Sequence, residues 1–212
     1  DLNFIQGKRW KFLVDGLGNT LKITLLALAI GLVIGMAIAA VRSTYDKTAE
    51  SARPGFGRRL LGFFNGLCKV YLTVLRGTPV VVQLMIFAFV IFSSVRNKLV
   101  VAGLAFGLNS GAYVAEIIRG GILAIDKGQM EAGRSIGLNY AQTMWYIVVP
   151  QAFKSVLPAL ANEFIALLKE TSVASYIGVS DLTRGGEIIR SITFSNFMPL
   201  VAVALIYLVL VL

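Results

Sequence analysis

The sequence predicts an all-α membrane protein with five transmembrane helices, forming one domain over residues 1–212. Hydrophobic residues make up 57% of the chain and charged residues 15%, which is too apolar for an ordinary soluble domain. Several apolar runs are long enough to cross a bilayer. Between two of these runs lies a polar segment, Gln129 to Pro150, which must stay outside the lipid.

Charge and reactive side chains exclude several classes of protein. The net charge is +9, but the Lys and Arg residues lie mainly at the ends of apolar segments, where they meet headgroups, so no nucleic-acid partner is expected. One cysteine, Cys68, and no histidine exclude an internal disulfide, a histidine metal site and imidazole catalysis. No G-x-x-x-x-G-K-S/T motif occurs, so we expect neither an enzyme nor a cofactor in this chain.

The first predicted span runs from about Leu17 to Val41. It is longer than a signal-peptide core and lacks a small-residue cleavage site, so we expect it in the mature protein. Gly31, Gly35 and Ala39 recur every four residues, a spacing that lets a neighbouring helix approach closely.

The loop from Arg42 to Arg59 carries five basic and two acidic residues, which predicts a cytoplasmic location. The N-terminus is then outside. Three nearby basic residues argue weakly against this orientation: Lys8, Arg9 and Lys11. One crossing over Leu60 to Val95 and one over Leu99 to Ile122 would place the Gln129 segment in the cytoplasm as well.

Polar residues interrupt the second crossing. A helix from Leu60 to Arg76 carries a polar stripe, which predicts a position at the inner boundary or against a partner. The stripe consists of Asn65, Lys69, Thr73 and Arg76. Thr78-Pro79 restarts the chain, and Pro79 to Val95 is the predicted second span. Its first amides either face a ligand carboxylate or follow a simple kink.

The third span is predicted from Leu99 to about Ile118. Asn109, Tyr113 and Glu116 share one face, which implies a wet or protein-lined side. Glu116 precedes Arg119 by three residues, so an ion pair within the helix is favoured over a role in ligand binding.

The polar segment is predicted to contain a helix of about ten residues. Glu131, Ala132 and Gly133 open it, Gly137 suits a helix C-terminus, and Pro150 closes the segment. A helix held between two spans and exposed to water is suited to binding another protein.

The fourth span is predicted over Gln151 to Glu170, ~30 Å at 1.5 Å per residue, with Asn162 and Glu163 near the bilayer centre. A buried charge there is costly unless it is paired or lines a cavity. We therefore expect Glu163 to face a ligand pathway, with a structural ion pair as the alternative. Pro158 is expected to bend this span around the site.

The remaining chain is predicted to hold an outer segment and a last span. Thr171 to Ser195 carries charges suited to a soluble partner, and Ser180 is the expected cap of a short helix. Met198 to Leu212 is the fifth span. Because this apolar run stops abruptly, we expect the natural protein to extend a few residues further.

Four motifs, whose order along the chain is shared, resemble those of bacterial ABC importer permeases. Glu131-Ala132-Gly133, with Gly137 and Val149-Pro150, resembles the EAA loop of these proteins. Three further phrases resemble the polar amino acid uptake family, whose transmembrane domain is MetI-like: RGTP at Arg76, AEIIRGGI at Ala115 and NEFIALLKETS at Asn162. Gly133 departs from the family pattern, which more often has alanine, and glycine lowers helix propensity by ~1 kcal/mol.

The resemblance implies a multi-subunit importer in a bacterial cell membrane. Its EAA loop, about residues 126–150, would dock on separate ATP-binding cassette subunits that hold ATP and Mg²⁺. An extracytoplasmic substrate-binding protein would deliver the substrate. Because five spans are too few to enclose a path, a second copy of this permease or a close relative is also expected. Five residues are assigned to ATPase coupling: Glu131, Ala132, Gly133, Gly137 and Pro150.

A polar amino acid, with a weak preference for a basic one, is the expected substrate. Glu163 with Asn162 would bind its ammonium, and Thr78 with Gln83 its carboxylate. A basic side chain would need a further carboxylate, for which Glu116 is the candidate. The alternative is a self-contained ion-coupled carrier or channel, which should show internal repeats or buried acid relays that we do not find in the sequence.

Overall fold

The structure is a computed structural model that describes residues 3–48 and 55–212. Every regular element in these ranges is helical. The α-helices are α1 (Trp10–Thr48), α2 (Phe56–Gly77), α3 (Val80–Ile86), α4 (Lys98–Leu123), α5 (Lys127–Ser135), α6 (Tyr140–Thr143), α7 (Val149–Glu170), α8 (Leu182–Thr193) and α9 (Phe197–Val211). Two π-helical turns, Phe87–Ile91 and Met144–Val148, extend α3 and join α6 to α7. The segments Gln6–Lys8 and Thr171–Ile177 are 3-10 helices.

Two helical runs in the described ranges are long and apolar enough by themselves to cross a membrane, namely Gln6–Asp46 and Lys98–Leu123. They contain the predicted first and third spans. Phe56–Gly77 and Val80–Ile91 reach this standard only as a broken pair. The bounds of α7 agree closely with those of the predicted fourth span and the bounds of α9 with those of the fifth, but α7 is not apolar enough, and α9 not long enough, to count as a membrane span by length and composition.

The prediction of a second span over Pro79 to Val95 is wrong in its bounds. Seven residues of α3 and five of the π-helical turn reach only ~18 Å, whereas the hydrocarbon core is ~30 Å thick. α2, with 22 residues, has the length for a crossing, but it meets the apolar standard only together with Val80–Ile91, in a pair bent by 109°. The predicted helix from Leu60 to Arg76 is present within α2, and of its polar stripe Asn65 is buried whereas Lys69, Thr73 and Arg76 are exposed. The restart at Pro79 is confirmed, since this residue directly precedes α3 with a φ of -63°.

The helices form two compact units. The first unit comprises Asp1–Ile30, Thr78–Leu108 and Phe164–Leu212, and the second comprises Gly31–Gly77 and Asn109–Glu163. The middle of the predicted cytoplasmic loop, residues 49–54, lies outside the described residues. α1 continues as a helix to Thr48, so its C-terminal turns include residues that the sequence assigned to this loop.

The core of the first unit is apolar and uses small side chains between large ones. Phe106, Leu84 and Leu167 lie at its centre and are almost fully buried. They come from three different helices, α4, α3 and α7, which pack against one another here through van der Waals contact. A second apolar cluster joins α8 and α9 to the start of α1.

In the second unit, α1 packs closely on α4 through glycine. A Cβ atom on Gly31 would lie 3.1 Å from Ser110 Oγ, and one on Gly35 would overlap the Val114 side chain. The sequence prediction of a close helix contact at this four-residue spacing is therefore confirmed. The Ser110 hydroxyl also donates a hydrogen bond to the half-buried Glu163.

The start of α8 contains a buried carboxylate. Asp181 caps the helix by accepting a hydrogen bond from the Arg184 backbone N–H at 2.9 Å, and its side chain is fully buried. The prediction of Ser180 as the cap is wrong by one residue; the Ser180 carbonyl instead accepts a hydrogen bond from Asn19. Burial raises the pKa of Asp181 from 3.8 to about 6, and the nearby charge of Glu187 adds to this shift.

We expect the free energy of unfolding to fall as pH rises from about 4 to about 6. The folded pKa of Asp181 lies above its unfolded value, so its stabilising contribution is full below the unfolded pKa and is lost as pH rises through the folded one. The loss amounts to at most about 3 kcal/mol. Melting temperatures of the detergent-purified protein from pH 4 to 8 would measure it.

The Asp181→Asn variant keeps an oxygen that can accept the hydrogen bond of the cap, but it has no carboxyl group that titrates at this position. The melting temperature of this variant should therefore vary less across this pH range than that of the wild type. The matched control is Asp126→Asn, at the exposed N-cap of α5. If Asp181→Asn retains the full wild-type pH profile, Asp181 does not cause it.

Candidate functional site

The short helix predicted in the polar segment is present as α5, nine residues from Lys127 to Ser135. It begins with a side-chain cap, in which Asp126 accepts a hydrogen bond from the Gly128 N–H at 2.6 Å. It ends where Gly137 takes a φ of +91° and the Leu138 N–H donates to the Gly133 carbonyl at 3.1 Å. The predicted glycine terminus is confirmed.

One face of α5 packs on the chain that follows it, and the other face is exposed. Gly133 is buried, and a Cβ atom placed there would lie 2.5 Å from Thr143 Cγ2 and 2.9 Å from Ile147 Cδ1. Glu131 and Ala132 are exposed. The departure from the family's alanine therefore has a local reason, because Thr143 fills the space that an alanine methyl group would need.

We expect Gly133→Ala to destabilise the contact between α5 and α6 by about 1–2 kcal/mol. Overpacking costs ~1–3 kcal/mol, and the gain in helix propensity returns up to ~1 kcal/mol. Thr143→Ser removes the clashing methyl and keeps the hydroxyl that donates to the Asn139 carbonyl, so the double variant should recover most of the loss. Protease susceptibility of the polar segment would measure this.

The control for this prediction is Gly120→Ala, because a Cβ atom at helical Gly120 meets nothing within 4 Å. That variant should be as resistant to protease as the wild type. A Gly133→Ala protein with unchanged resistance would contradict the proposed packing.

A continuous helical run leads from the polar segment into the predicted fourth span. Asn139 and Gln142 form a reciprocal cap, each accepting a hydrogen bond from the other's backbone N–H at 2.9 Å. The run then passes through the Met144–Val148 π-helical turn into α7. Pro150 does not close the segment as predicted. It lies in the first turn of α7, where a missing N–H is tolerated.

Glu163, the predicted ligand-binding acid, is held by α4. Its Oε1 atom accepts a hydrogen bond from the Ser110 hydroxyl at 2.8 Å, and the side chain is half-buried. Asn162 is adjacent and exposed. Sequence reasoning missed Ser110, which is 53 positions away in the chain. The one signal for it was the glycine spacing in α1, which marks the close contact at Gly31.

Glu116 belongs to a chain of ion pairs in the second unit. Its two oxygens face Arg42 and Arg119, the second at 3.7 Å, and Arg119 Nε lies 2.9 Å from Asp46 Oδ2. The favoured pair with Arg119 is present, and the network also includes α1. All four side chains are no more than 29% exposed, which is the setting in which removing one partner is costly.

Thr78 and Gln83, the predicted carboxylate donors, are bonded to each other in the first unit. The Gln83 amide donates to the Thr78 hydroxyl at 2.7 Å and to the Thr78 carbonyl at 3.0 Å. Gln83 is 5% exposed, whereas Thr78 is exposed. These bonds cap the break before α3 and occupy amide hydrogens that a ligand carboxylate would otherwise use.

A cationic contact that the sequence analysis did not single out lies at the end of α2. The Arg76 guanidinium sits over the Tyr113 ring, 5.4 Å from its centroid, and Asn109 donates to the Leu75 carbonyl at 3.1 Å. The shared face predicted for Asn109, Tyr113 and Glu116 is therefore lined by protein. In the described ranges, no group of three or more Cys, Asp or Glu side chains is placed to hold a metal ion.

These features define a helical membrane component. It has long apolar helices, a helix broken before Pro79, and the short exposed helix α5, which precedes the helical run that carries Glu163. Residues 51–212 match the family described as binding-protein-dependent transport system inner membrane component. The chain is 39% identical over 205 residues to the arginine transport system permease protein ArtQ of Bacillus subtilis (strain 168), covering 95% of this chain and 86% of that protein. It is 38% identical to the glutamine transport system permease protein GlnP of Escherichia coli (strain K12), with 94% and 86% coverage.

Solved structures agree with this assignment. The fold is similar to the crystal structure of an amino acid ABC transporter with histidines, with a TM-score of 0.83, 39% identity, and coverage of 97% of this chain and 90% of that one. An inward-facing MetNI methionine ABC transporter shares the fold alone, at 21% identity and a TM-score of 0.73, with 95% and 90% coverage. The chain belongs to the family of binding-protein-dependent transport system inner membrane components.

Proposed function

We propose that this chain is the membrane-spanning permease subunit of an ATP-driven ABC importer for polar amino acids. The observation that carries the proposal is the similarity, over nearly the whole chain, to permease proteins of arginine and glutamine transport systems. The family does not favour the rival class, a self-contained ion-coupled carrier. In the proposed assembly, separate ATPase subunits bind ATP and Mg²⁺ and hydrolyse the nucleotide.

The exposed face of α5 is the proposed contact with the ATPase. Glu131 and Ala132 lie on this face, and the opposite face is fixed to Thr143 through Gly133. Movement of an ATPase subunit against Glu131 would therefore tilt α6 and the helix that continues from it. Such rigid-body movement of packed helices can switch a pathway between inward-open and outward-open states. Gly137 lies at the end of α5 and Pro150 in the first turn of α7, and both are assigned to the proposed coupling loop.

Glu163 is the proposed partner of the substrate ammonium, with Asn162 beside it. A carboxylate offers about four acceptor positions, so Glu163 can accept from a charged donor as well as from the Ser110 hydroxyl at 2.8 Å. Glu116 has a different proposed role, because Arg42 and Arg119 already balance its charge. We assign it to holding α1 and α4 together rather than to a basic substrate.

The proposed topology has five crossings, with the N-terminus outside and α5 in the cytoplasm of a bacterial cell. A second copy of the permease, or a close relative, and an extracytoplasmic substrate-binding protein complete the importer. The outer segment with α8 is the proposed contact for the binding protein. The exposed ends of Arg184 and Glu187 form an ion pair on this surface.

Reconstitution tests the proposal. The chain, co-expressed with the ATPase chains of its host, should retain an ATPase through detergent purification. In liposomes, L-arginine or L-glutamine should stimulate ATP hydrolysis and enter in an ATP-dependent manner. Uptake by the purified chain alone, driven by an ion gradient, would instead establish the carrier.

A further inference from the structure

The acid at the start of α8 uses only one of its two oxygens within the protein. Asp181 Oδ1 accepts the cap hydrogen bond from the Arg184 N–H at 2.9 Å. The other oxygen, Oδ2, is buried and has no hydrogen-bond partner among the described residues. The residue is 0% exposed, so Oδ2 faces the interior of the first unit. Buried polar atoms in proteins are almost always bonded, which indicates that Oδ2 has a ligand.

The charge of Asp181 is not balanced by a basic side chain. None of the ion pairs within residues 3–48 and 55–212 includes this acid. Arg184 pairs with Glu187 at 3.0 Å instead, and Glu187 adds a second negative charge near Asp181. The amides at the helix start favour a carboxylate, but they bond to Oδ1. Because buried charges in proteins are paired or coordinate metal ions, a cation at Oδ2 is the missing partner.

Hydroxyl groups from three elements lie beside this acid. Thr20 on α1 accepts a hydrogen bond from the Leu182 N–H at 3.1 Å, directly after Asp181 in the chain. The Tyr207 hydroxyl on α9 lies 3.5 Å from Thr183 Oγ1, and it interacts with the Thr20 hydroxyl and with the Asp181 charge. A hydroxyl oxygen has two lone pairs and can accept or coordinate with either. α1, α8 and α9 thus contribute one carboxylate and three hydroxyl groups to a single polar cluster in the first unit.

We propose that this cluster binds a small monovalent cation, Na⁺. Asp181 Oδ2 is the charged ligand, and the hydroxyl oxygens of Thr20, Thr183 and Tyr207 are the neutral ones. All four ligands are oxygen atoms, which hard cations prefer. One carboxylate balances one positive charge, whereas a divalent ion would leave an excess charge in the interior.

The packing beside the cluster favours a bare ion over an organic ammonium group. A Cβ atom on Gly16 of α1 would lie 2.5 Å from the Asp181 carbonyl oxygen, and one on Gly185 of α8 would overlap the Phe12 carbonyl. The backbones of α1 and α8 are therefore in contact next to the acid. A bound ion would join α1, α8 and α9 and hold the outer segment against two predicted spans. Glu163 belongs to the other unit, so the ion site is separate from the proposed substrate contact.

Melting temperatures of the detergent-purified chain at pH 8 test the site, with sodium chloride compared with choline chloride at equal ionic strength. Choline carries the same charge but is too large for the cluster, so it controls for screening by salt. An ion that binds only the folded state stabilises it by mass action. For a Kd of about 10 mM, a sodium concentration of about 150 mM should raise the melting temperature by about 3–6 °C. Binding of radioactive sodium to the same protein should reach one ion per chain.

Two variants connect the sodium effect to the proposed ligands. Asp181→Asn keeps an oxygen for the cap and removes the charge, so it should melt in choline at or above the wild-type temperature and gain nothing from sodium. This result in choline would also show that the variant folds. Tyr207→Phe keeps the ring and removes one ligand. Since even outer-shell changes weaken metal binding about 10- to 100-fold, it should need at least about 10-fold more sodium for half of the shift.

The matched control is Asp126→Asn, which makes the same change at the exposed N-cap of α5 and should keep the wild-type response to sodium. Equal wild-type melting temperatures in sodium and choline would mean that the cluster holds only water or internal hydrogen bonds, and would overturn the site. A sodium response that persists in Asp181→Asn would place the ion elsewhere and overturn it as well. Either result leaves the proposed function standing, because no transport is measured.

Discussion

Glu163→Gln is expected to weaken amino acid binding by about 10- to 100-fold and to reduce uptake at low substrate concentration by the same factor. The amide is nearly the same size as the carboxylate and can still accept the Ser110 hydrogen bond, so the packing between α4 and α7 should be unchanged. The charge opposite the substrate ammonium is lost, and charge-assisted hydrogen bonds contribute about 1.5–3 kcal/mol. Transport and substrate-stimulated ATP hydrolysis, each measured against substrate concentration, would show the shift.

The control for this variant is Asp15→Asn, which neutralises an exposed acid on α1 in the other unit. Its concentration dependence should match that of the wild type. A Glu163→Gln complex with wild-type affinity would mean that Glu163 has only a structural role, which includes its contact with Ser110 on α4.

Glu131→Lys is expected to abolish uptake, with a loss of at least about 100-fold, while amino acid binding stays intact. The Glu131 side chain is exposed on α5, and reversing its charge opposes any basic surface to which it binds, at a cost of several kcal/mol in a closed interface. The helix keeps its Asp126 cap and its Gly133 contact, so the fold should persist. Co-purification of the ATPase and uptake by liposomes would measure the loss.

Glu187→Lys on α8 provides the comparison for Glu131→Lys, since it reverses an acid on a different exposed helix face. It should leave ATPase binding unchanged. If Glu131→Lys retains a full complement of ATPase and transports normally, α5 is not the docking helix, and its acid is an ordinary exposed carboxylate near a helix end.

The sequence predicted best those features that depend on local chemistry. α5 and its end at Gly137 follow from an aspartate cap and a residue that tolerates positive φ, and the restart at Pro79 follows from a missing N–H. The long apolar helices α1 and α4 follow from composition and length. These signals lie within a few residues of the element that they specify.

The features that the sequence did not predict depend on packing. Asn65 was grouped with three residues that are exposed, in a stripe predicted to lie at the inner boundary or against a partner, but Asn65 itself is buried against neighbours that no local pattern identifies. The sequence predicted that a charge at Glu163, near the bilayer centre, costs free energy unless it is paired. Its contact with Ser110 could not be predicted, because this contact depends on how α4 and α7 pack against each other. The placing of Arg76 over Tyr113 likewise joins two helices. No local sequence pattern around Ser110, Tyr113 or Glu163 predicts these contacts between helices.

The uninterrupted helical run from Tyr140 to Glu170 has a thermodynamic consequence. It joins the Thr143 contact of α5 to Glu163, so in the proposed assembly a movement that nucleotide binding imposes on α5 would reach this acid along a single helical run. By linkage, a given factor by which ATP changes amino acid affinity is also the factor by which the amino acid changes the affinity of the assembly for ATP. In an importer built in this way, occupation of the substrate site would raise or lower the affinity of the ATPase subunits for ATP.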